Sequence, residues 1–344
     1  PQVLFSHTKA FLEITNAKKI VIGRDSRPTG EAIVQMVSGF CRLCGVDVID
    51  AGLATTPSVE ILVTELKADA GIIITASHNP LEWNALKFLN AKGLFLGPDD
   101  VKKLFALADE GKFSFPDYKE MGSYEFLDDA DSVHIQGTLA IPFVDVQAIR
   151  KAKFKVAIDA VNGAGSLIVP RLLEELGCEV VRVHCSPNGN FPRGAEPLPE
   201  NLKDLSKAVL EHNCAVGFAL DPDADRCAIV CGEGRAIGEE YTLAIASEEV
   251  LLQKPGNVCI NLSTSRMNED VAEKYGCKCS RAKVGEINVS LQMMEESCVI
   301  GGEGNGGVIL PALHYGRDSL VAVALVLSWM AHHNGGPEKF VKEN

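Results

Sequence analysis

Three times along this chain a strand-like apolar run, a helix-like run, a second strand, a second helix and a third strand follow one another, and no other feature restricts the fold as much. The first copy reads KKIVIGR, then EAIVQMVSGFCRLCG closed by a glycine, VDVIDAG, PSVEILVTELKADA opened by Pro57, and AGIIIT. The second runs from FKVAIDA through AGSLIVPRLLEELG, CEVVRVHC and LPENLKDLSKAVLEHN to AVGFAL. The third runs from GNVCINL through SRMNEDVAEKYG, CKCSRA and INVSLQMMEE to SCVIGG. Strands alternating with helices build parallel sheets with helical crossovers. The copies share little sequence, so what repeats, about every 100 residues, is architecture. The expected fold is α/β: three consecutive similar domains with mixed, mainly parallel sheets around a shared cleft. Their expected bounds are residues 1–145, 146–254 and 255–344. SVHIQGTLAIPFVDVQAIRKAK and the Pro- and Gly-bearing LLQKPGN are the expected linkers.

The third strand of each copy runs into the most polar loops of the chain: TASHNP, DPDADR and EGNGG. Parallel α/β sheets bind ligands beyond the carboxyl ends of their strands. DPDADR alternates Asp221, Asp223 and Asp225 across five positions, and alternate residues of an extended segment point the same way. Three carboxylates so placed either form a solvated acidic turn or, packed together, need a cation, and an oxygen-only donor set favours Mg²⁺. Arg226 can pair with a phosphate or with one of the aspartates. TASHNP offers Ser77 as a nucleophile or phosphate carrier beside His78, or it is a polar turn with Asn79 and Pro80 as turn residues. A phosphate on Ser77 would supply the oxygen ligand that three carboxylates lack. EGNGG places Glu303 and Asn305 to bond sugar hydroxyls, or forms a glycine hairpin turn.

Other segments carry weaker signals. Lys87, inside an apolar stretch, either reaches solvent or sits in a cleft. GRDSRPTG, with Arg24, suits a phosphate at a helix N-terminus or an ion-paired turn. In NGNFPRGAEPLPENL, Arg193 and Glu196 either reach a substrate or, on the safer reading, belong to a structural loop. In HYGRDSL, Asp318 reads as the cap or a first-turn acid of the last helix.

Composition narrows the partners. With 33 Lys and Arg against 46 Asp and Glu the formal charge is −13, which disfavours nucleic acid and anionic membrane surfaces but not small phosphorylated substrates. No window approaches a membrane span, and the first residues lack a signal-peptide pattern, so a cytoplasmic protein is expected. The 11 scattered cysteines read as reduced thiols; the single CxxC, Cys41 and Cys44, reads as two small apolar residues near a helix end.

TASHNP, DPDADR and a GE-x-[N/S]-G loop, in that order at three equivalent strand ends, resemble the α-D-phosphohexomutases: the phosphoglucomutases, phosphomannomutases and phosphoglucosamine mutases. The resemblance spans essentially all 344 residues. It implies an enzyme that interconverts hexose 1-phosphate and 6-phosphate through a phosphoserine at Ser77 and a sugar 1,6-bisphosphate. One Mg²⁺ would be held by Asp221, Asp223, Asp225 and the Ser77 phosphate. His78, Lys87 and Arg226 would surround the moving phosphoryl group, with Lys87 the general acid/base. Glu303, Asn305 and Lys283 would bind the sugar. The resemblance departs in two places. Neither the family's opening G-T-[SA]-G-[IL]-R strand nor its R-x-S-x-T-x-P phosphate loop occurs in these residues. The expectation is a chain lacking the fourth, phosphate-gripping domain, either weakly active or a fragment that only binds metal and sugar phosphate. The sugar reads as glucosamine phosphate, with glucose or mannose phosphate as the alternative. The rival chemistry is an aspartate-nucleophile phosphatase, in which Asp221 would be phosphorylated.

Overall fold

Runs rich in β-branched residues become the inner strands of three sheets, because buried parallel strands bury apolar side chains on both faces. The computed structural model describes residues 2–111 and 113–343. Its first sheet contains β1 (Lys19–Arg24), β2 (Asp47–Leu53), β3 (Ala70–Ile74), β4 (Leu86–Asn90) and β5 (Tyr124–Phe126), in the order β4-β3-β1-β2-β5. The second contains β6 (Lys155–Asp159), β7 (Glu179–Val183), β8 (Val216–Leu220) and β9 (Cys227–Cys231), in the order β7-β6-β8-β9. The third contains β10 (Val258–Asn261), β11 (Cys279–Ala282), β12 (Ile300–Glu303) and β13 (Gly307–Ile309), in the order β11-β10-β12-β13.

One plan therefore recurs. The first strand of each set lies between the second and third, parallel to both, and a fourth strand runs antiparallel beside the third. This is the expected α/β class with mixed, mainly parallel sheets. The strands β4, β9 and β13 add something the alternation did not contain. Each polar motif now joins a third strand to its antiparallel neighbour: Ile74 faces Leu86, Leu220 faces Cys227, and Glu303 faces Gly307 across the turns. Both ends of each motif are thus fixed by a hydrogen-bonded ladder.

Contacts divide the chain into two units, residues 1–76 with 82–134, and residues 77–81 with 135–344. In the first unit the period of two along β3 sorts side chains between two cores. Ile72 and Ile74 join Phe11, Val37, Cys41 and Leu104 on one face, and Ile73 joins Val59, Leu62, Val63 and Leu89 on the other. The opening segment forms a helix, Gln2–Thr15, that contributes Ala10, Phe11 and Leu12. The second unit holds the second and third sheets around one continuous core, including Ile158, Phe218, Leu243, Ile260, Ile300 and Trp329. At its centre the helices Glu240–Gln253 and Ser319–His333 pack on each other. The second is apolar on every side, and its residues Leu320 to Leu327 are fully buried, each large one worth about 1.5–3 kcal/mol of transfer free energy.

The expected linker between the first two copies is ordered. It carries the helices Ala130–Leu139 and Val146–Ala152. Asp145 caps the second by accepting the Ala148 N–H at 2.8 Å, while Ile135, Ile141 and Ile149 enter the core. No helix among the described residues is long and apolar enough to cross a membrane. All eleven cysteines are free thiols. Cys41 and Cys44 end the helix Gly30–Leu43 ahead of Gly45, whose φ is +79°, and burial pushes the Cys41 thiol well up.

Candidate active site

The fully buried strand β8 delivers Asp221 to its carboxyl end, and the turn that follows wraps back around that side chain. Asp221 Oδ1 accepts the backbone N–H groups of Asp225 and Arg226, each at 3.1 Å. Ala224, with φ +56°, reverses the chain between Asp223 and Asp225. The three carboxylates each offer an oxygen within 4.8 Å of the others, and all three side chains are fully buried. Burial, followed by the charges of Asp225 and Asp223, pushes the Asp221 carboxyl well above its ordinary range. Three like charges out of water are costly unless a cation neutralises them. An all-oxygen, all-carboxylate set suits a hard divalent ion such as Mg²⁺, so Asp221, Asp223 and Asp225 fit that ion.

Ser77 meets this cluster. Its Oγ donates to Asp221 Oδ2 at 3.3 Å and lies 3.4 Å from His78 Nδ1. Ser77 has φ +49°, a left-handed conformation that a serine adopts at a cost of about 1–3 kcal/mol and that is common where a side chain must be presented. His78 is half-buried. Burial and then the nearby Arg226 charge lower its pKa, so the ring is neutral at pH 7. Arg226 donates from Nη1 to Glu196 Oε1 at 2.9 Å. Its Nε, 3.8 Å from Asp225 Oδ1, has no hydrogen-bond partner among the described residues.

Two loop residues read as structural prove to brace the turn. Arg193 donates to Asp159 Oδ2 at 2.9 Å and to the carbonyl of Leu220, the residue before Asp221, at 2.7 Å. Glu196 holds Arg226. Glu239, which no motif marks, belongs to the same neighbourhood. Burial pushes its carboxyl up to about 7, against the pull of Arg226, and its Oε1 is buried with no hydrogen-bond partner among the described residues.

At the end of β12 the chain solves a different problem. Glu303 Oε1 accepts from Asn261 Nδ2 at 2.7 Å and from the Gly285 N–H at 3.0 Å. Its Oε2 accepts from Arg317 Nη1 at 2.6 Å and from Asn305 Nδ2 at 3.4 Å. Asn305 Oδ1 is buried with no hydrogen-bond partner among the described residues. Gly306, at φ +85°, passes so close to Cys227 that a Cβ would stand 2.4 Å from the Cys227 carbonyl oxygen, and the Cys227 N–H donates to the Gly306 carbonyl at 3.0 Å. The glycine thus lets this turn pair with the residue that ends the aspartate turn. Lys283 is exposed, two residues before the Gly285 N–H that Glu303 accepts.

Arg24 and Lys87 belong to the first unit. Arg24 ends β1 and donates to the Asp25 carbonyl at 3.1 Å. Lys87 lies on β4 opposite Ile73, with its ammonium 5.4 Å over the Phe95 ring. In the same loop Arg27 is ion-paired with Asp25 at 3.0 Å, both side chains fully buried, and Asp25 also accepts from Thr75 at 2.6 Å. For that pair the structure shows the ion-paired turn. As expected, Asp318 caps the helix Ser319–His333 by accepting the N–H groups of Leu320 and Val321.

Family models of phosphoglucomutase/phosphomannomutase α/β/α domains I, II and III match residues 1–115, 133–234 and 238–344. A protein of Methanopyrus kandleri named "Probable phosphoglucosamine mutase" is 35% identical over 332 residues, 95% of this chain and 72% of that protein. A phosphoglucomutase/phosphomannomutase of Thermococcus kodakarensis is 38% identical over 317 residues, 91% of this chain and 68% of that protein. The crystal structure of a phosphoglucomutase/phosphomannomutase family protein from Burkholderia thailandensis superposes with a TM-score of 0.87 at 26% identity, over 99% of this chain and 75% of that one.

Proposed function

The chain belongs to the phosphoglucomutase/phosphomannomutase family, and from that premise we propose that it is a phosphohexomutase that moves a phosphoryl group between the 1- and 6-positions of a hexose phosphate by way of Ser77. The observation that carries the reading is the Ser77 hydroxyl, 3.3 Å from Asp221 in a buried carboxylate triad. A hydroxyl at the edge of a cation-binding cluster is placed to carry a phosphoryl group, whose charge the cluster alone would repel.

In this reading a phosphorylated Ser77 gives its phosphoryl group to the free hydroxyl of the sugar. The Ser77 Oγ–P bond breaks, a P–O bond to the sugar forms, the sugar hydroxyl's proton leaves to a base, and Ser77 Oγ takes up a proton to become a free hydroxyl. The resulting bisphosphorylated sugar turns over and returns its other phosphoryl group to Ser77. Bound Mg²⁺ supplies charge neutralisation for the transferring group. The chain's own groups do the rest. Arg226, with an uncommitted Nε, offers a donor to phosphoryl oxygens. Neutral His78 can donate or accept beside Ser77 Oγ without adding charge. Asn305 Oδ1 offers an unmet acceptor to a sugar hydroxyl; Glu303, whose oxygens already accept four N–H groups, and the exposed Lys283 are assigned to that side on the motif match alone. Lys87 is assigned the hydroxyl proton on the motif match alone, and Arg24 a supporting role from its place at the end of β1.

The names of relatives include both phosphoglucosamine mutase and phosphoglucomutase/phosphomannomutase. We assign glucosamine phosphate as the preferred sugar, with glucose or mannose phosphate as the alternative: the loops FPRGAEPLPENL and GEGNGGVILPALHYGRDSL resemble both kinds of enzyme, and several relatives bear the name phosphoglucosamine mutase. Two measurements test the proposal. Intact mass spectrometry of the purified protein should find one phosphoryl group, mapped to Ser77; an acyl phosphate at Asp221 would point instead to the phosphatase chemistry. Ser77→Ala should lose exchange between 1- and 6-phosphates by at least about 10³-fold, of the order lost when a nucleophile is removed. A panel of glucose, mannose, glucosamine and N-acetylglucosamine 1-phosphates then ranks the sugars, and near-wild-type turnover by the alanine variant would remove Ser77 from the reaction.

A further inference from the structure

Arg317 is the group that the motifs leave unexplained and that the structure makes central. Its guanidinium is buried and holds three carboxylates from three separate segments. Nη2 donates to Asp225 Oδ2 at 2.6 Å, Nη1 to Glu303 Oε2 at 2.6 Å, and Nε to Glu286 Oε2 at 2.9 Å. All three nitrogens of the fork are therefore engaged, one to the aspartate turn, one to the turn after β12, and one to the first residue of the helix Glu286–Glu295. Burial alone would weaken its charge, but Asp225, Glu286 and Glu303 hold it firmly protonated.

The surrounding backbone is shaped for this residue. A Cβ at Gly307 would stand 2.3 Å from Arg317 Cδ, so only glycine leaves the side chain its path. Arg317 bridges to Ile309 beside β13, and the next residue's N–H donates to the Val308 carbonyl at 2.8 Å. Asp318 then caps the fully buried helix, which anchors the arginine from the other side. One positive charge, rigidly held, is thus shared among three negative ones.

We propose that Arg317 is a positioning residue that links the cation site to the turn after β12, so that the charge state around Glu303 and Glu286 sets how strongly Asp225 binds a divalent ion. The physical basis is competition. A cation and the guanidinium both draw on Asp225. When Glu303 or Glu286 loses its charge, more of the guanidinium's attraction falls on Asp225, and the cation is held less tightly. By reciprocity, a cation on Asp225 returns the guanidinium to Glu303 and fixes that carboxylate's orientation. The inference rests on the reading that the triad holds a divalent ion, and its test uses the ion alone.

The experiment is a double-mutant cycle read as the Mn²⁺ dissociation constant, by titration calorimetry or electron paramagnetic resonance, on the whole chain without sugar. Mn²⁺ suits the same oxygen ligands. Glu303→Gln should weaken Mn²⁺ binding about fivefold in the wild-type background and by less than about twofold in Arg317→Lys, the low end of typical coupling between sites. Lysine keeps the charge but not the fork, so long-range electrostatics cancel in the cycle and only the shared guanidinium remains. An equal shift in both backgrounds overturns the link while leaving the triad as a cation site. Absence of Mn²⁺ binding to the wild type overturns both. Should Arg317→Lys fail to give a cooperative thermal transition, Glu286→Gln decides, since Glu286 reaches Asp225 through Arg317. A roughly threefold weaker Mn²⁺ affinity supports the link, and an unchanged one overturns it.

Discussion

Between β8 and β9 the chain gathers Asp221, Asp223 and Asp225 within 4.8 Å of one another, out of water, with burial and mutual repulsion raising the Asp221 carboxyl. Between β12 and β13, at the corresponding place in the next sheet, it buries Glu303 under four N–H donors from Asn261, Gly285, Asn305 and Arg317. The two turns occupy the same topological position and have opposite electrostatics. In the first, three negative charges are gathered against two backbone N–H groups and a share of the Arg317 guanidinium, and a further cation has to come from outside. In the second, the protein supplies the donors itself and holds one carboxylate in a fixed orientation. Carboxylates at equivalent strand ends therefore need not do equivalent work. What separates them is whether the donors the fold brings match the charge gathered there.

The largest expected effect follows from the first turn. Asp223→Asn should weaken divalent-ion binding at least about 100-fold, the upper end of what even outer-sphere changes cost. The same change should raise the thermal midpoint of the metal-free protein, since it removes one of three buried like charges. Wild type should gain about 2.7 kcal/mol of stability at Mg²⁺ a hundredfold above its dissociation constant, and the variant no more than about 0.4 kcal/mol. Thermal melts with and without Mg²⁺ read all three. A metal-free variant no more stable than wild type would mean that the aspartate turn, like Glu303, is already neutralised by the protein, and the contrast would fail.

The next effect has the opposite sign. Glu303→Gln places an amide N–H against Arg317 or Asn261, where a carboxylate oxygen now accepts. It should cost about 2 kcal/mol, in the range for hydrogen bonds to charged groups. Equilibrium denaturation checks this. A neutral or stabilising outcome would put Glu303 in the class of Asp223.

How much of this was readable from sequence depends on distance along the chain. The aspartate spacing in DPDADR is local, so its chemistry is legible without a fold. So is the cap at Asp318, which bonds residues two and three positions on. Arg317 is different, because its partners lie 92, 31 and 14 residues away and no spacing rule relates them. Glu239 is hidden for the same reason: burial sets its acidity, and burial is a tertiary property. The parallel strands were legible as apolar runs between helices. The antiparallel β9, CAIVC, was not, because it follows its motif without a turn signal of its own. The helices Ala130–Leu139 and Val146–Ala152 escaped because Pro142 and Gly137 punctuate a stretch with no clear apolar stripe.

The smallest effect comes from a buried carboxylate outside both turns, and it serves as the control. Glu249, in the helix Glu240–Gln253, is fully buried; its Oε1 lies 2.9 Å from His332 Nδ1 and accepts from Gln253 Nε2 at 2.7 Å. Burial raises its pKa from the ordinary 4.5 to about 7, with His332 and these hydrogen bonds opposing the rise. A raised folded-state pKa favours the native state while the group is protonated. That contribution is fully present below pH 4.5 and is lost as the pH climbs through 7. Glu249→Gln, which keeps the shape and one acceptor, should therefore match wild type near pH 4.5. At pH 8 it should exceed wild type by about 1 kcal/mol, roughly 3 °C in Tm for a unit of this size. Unlike the Asp223 variant, its advantage should be unaffected by Mg²⁺, because Glu249 is not among the clustered aspartates. If Mg²⁺ abolished it, the pH dependence would belong to the aspartate turn, and burial alone could no longer explain the difference between a carboxylate that needs a cation and one that does not.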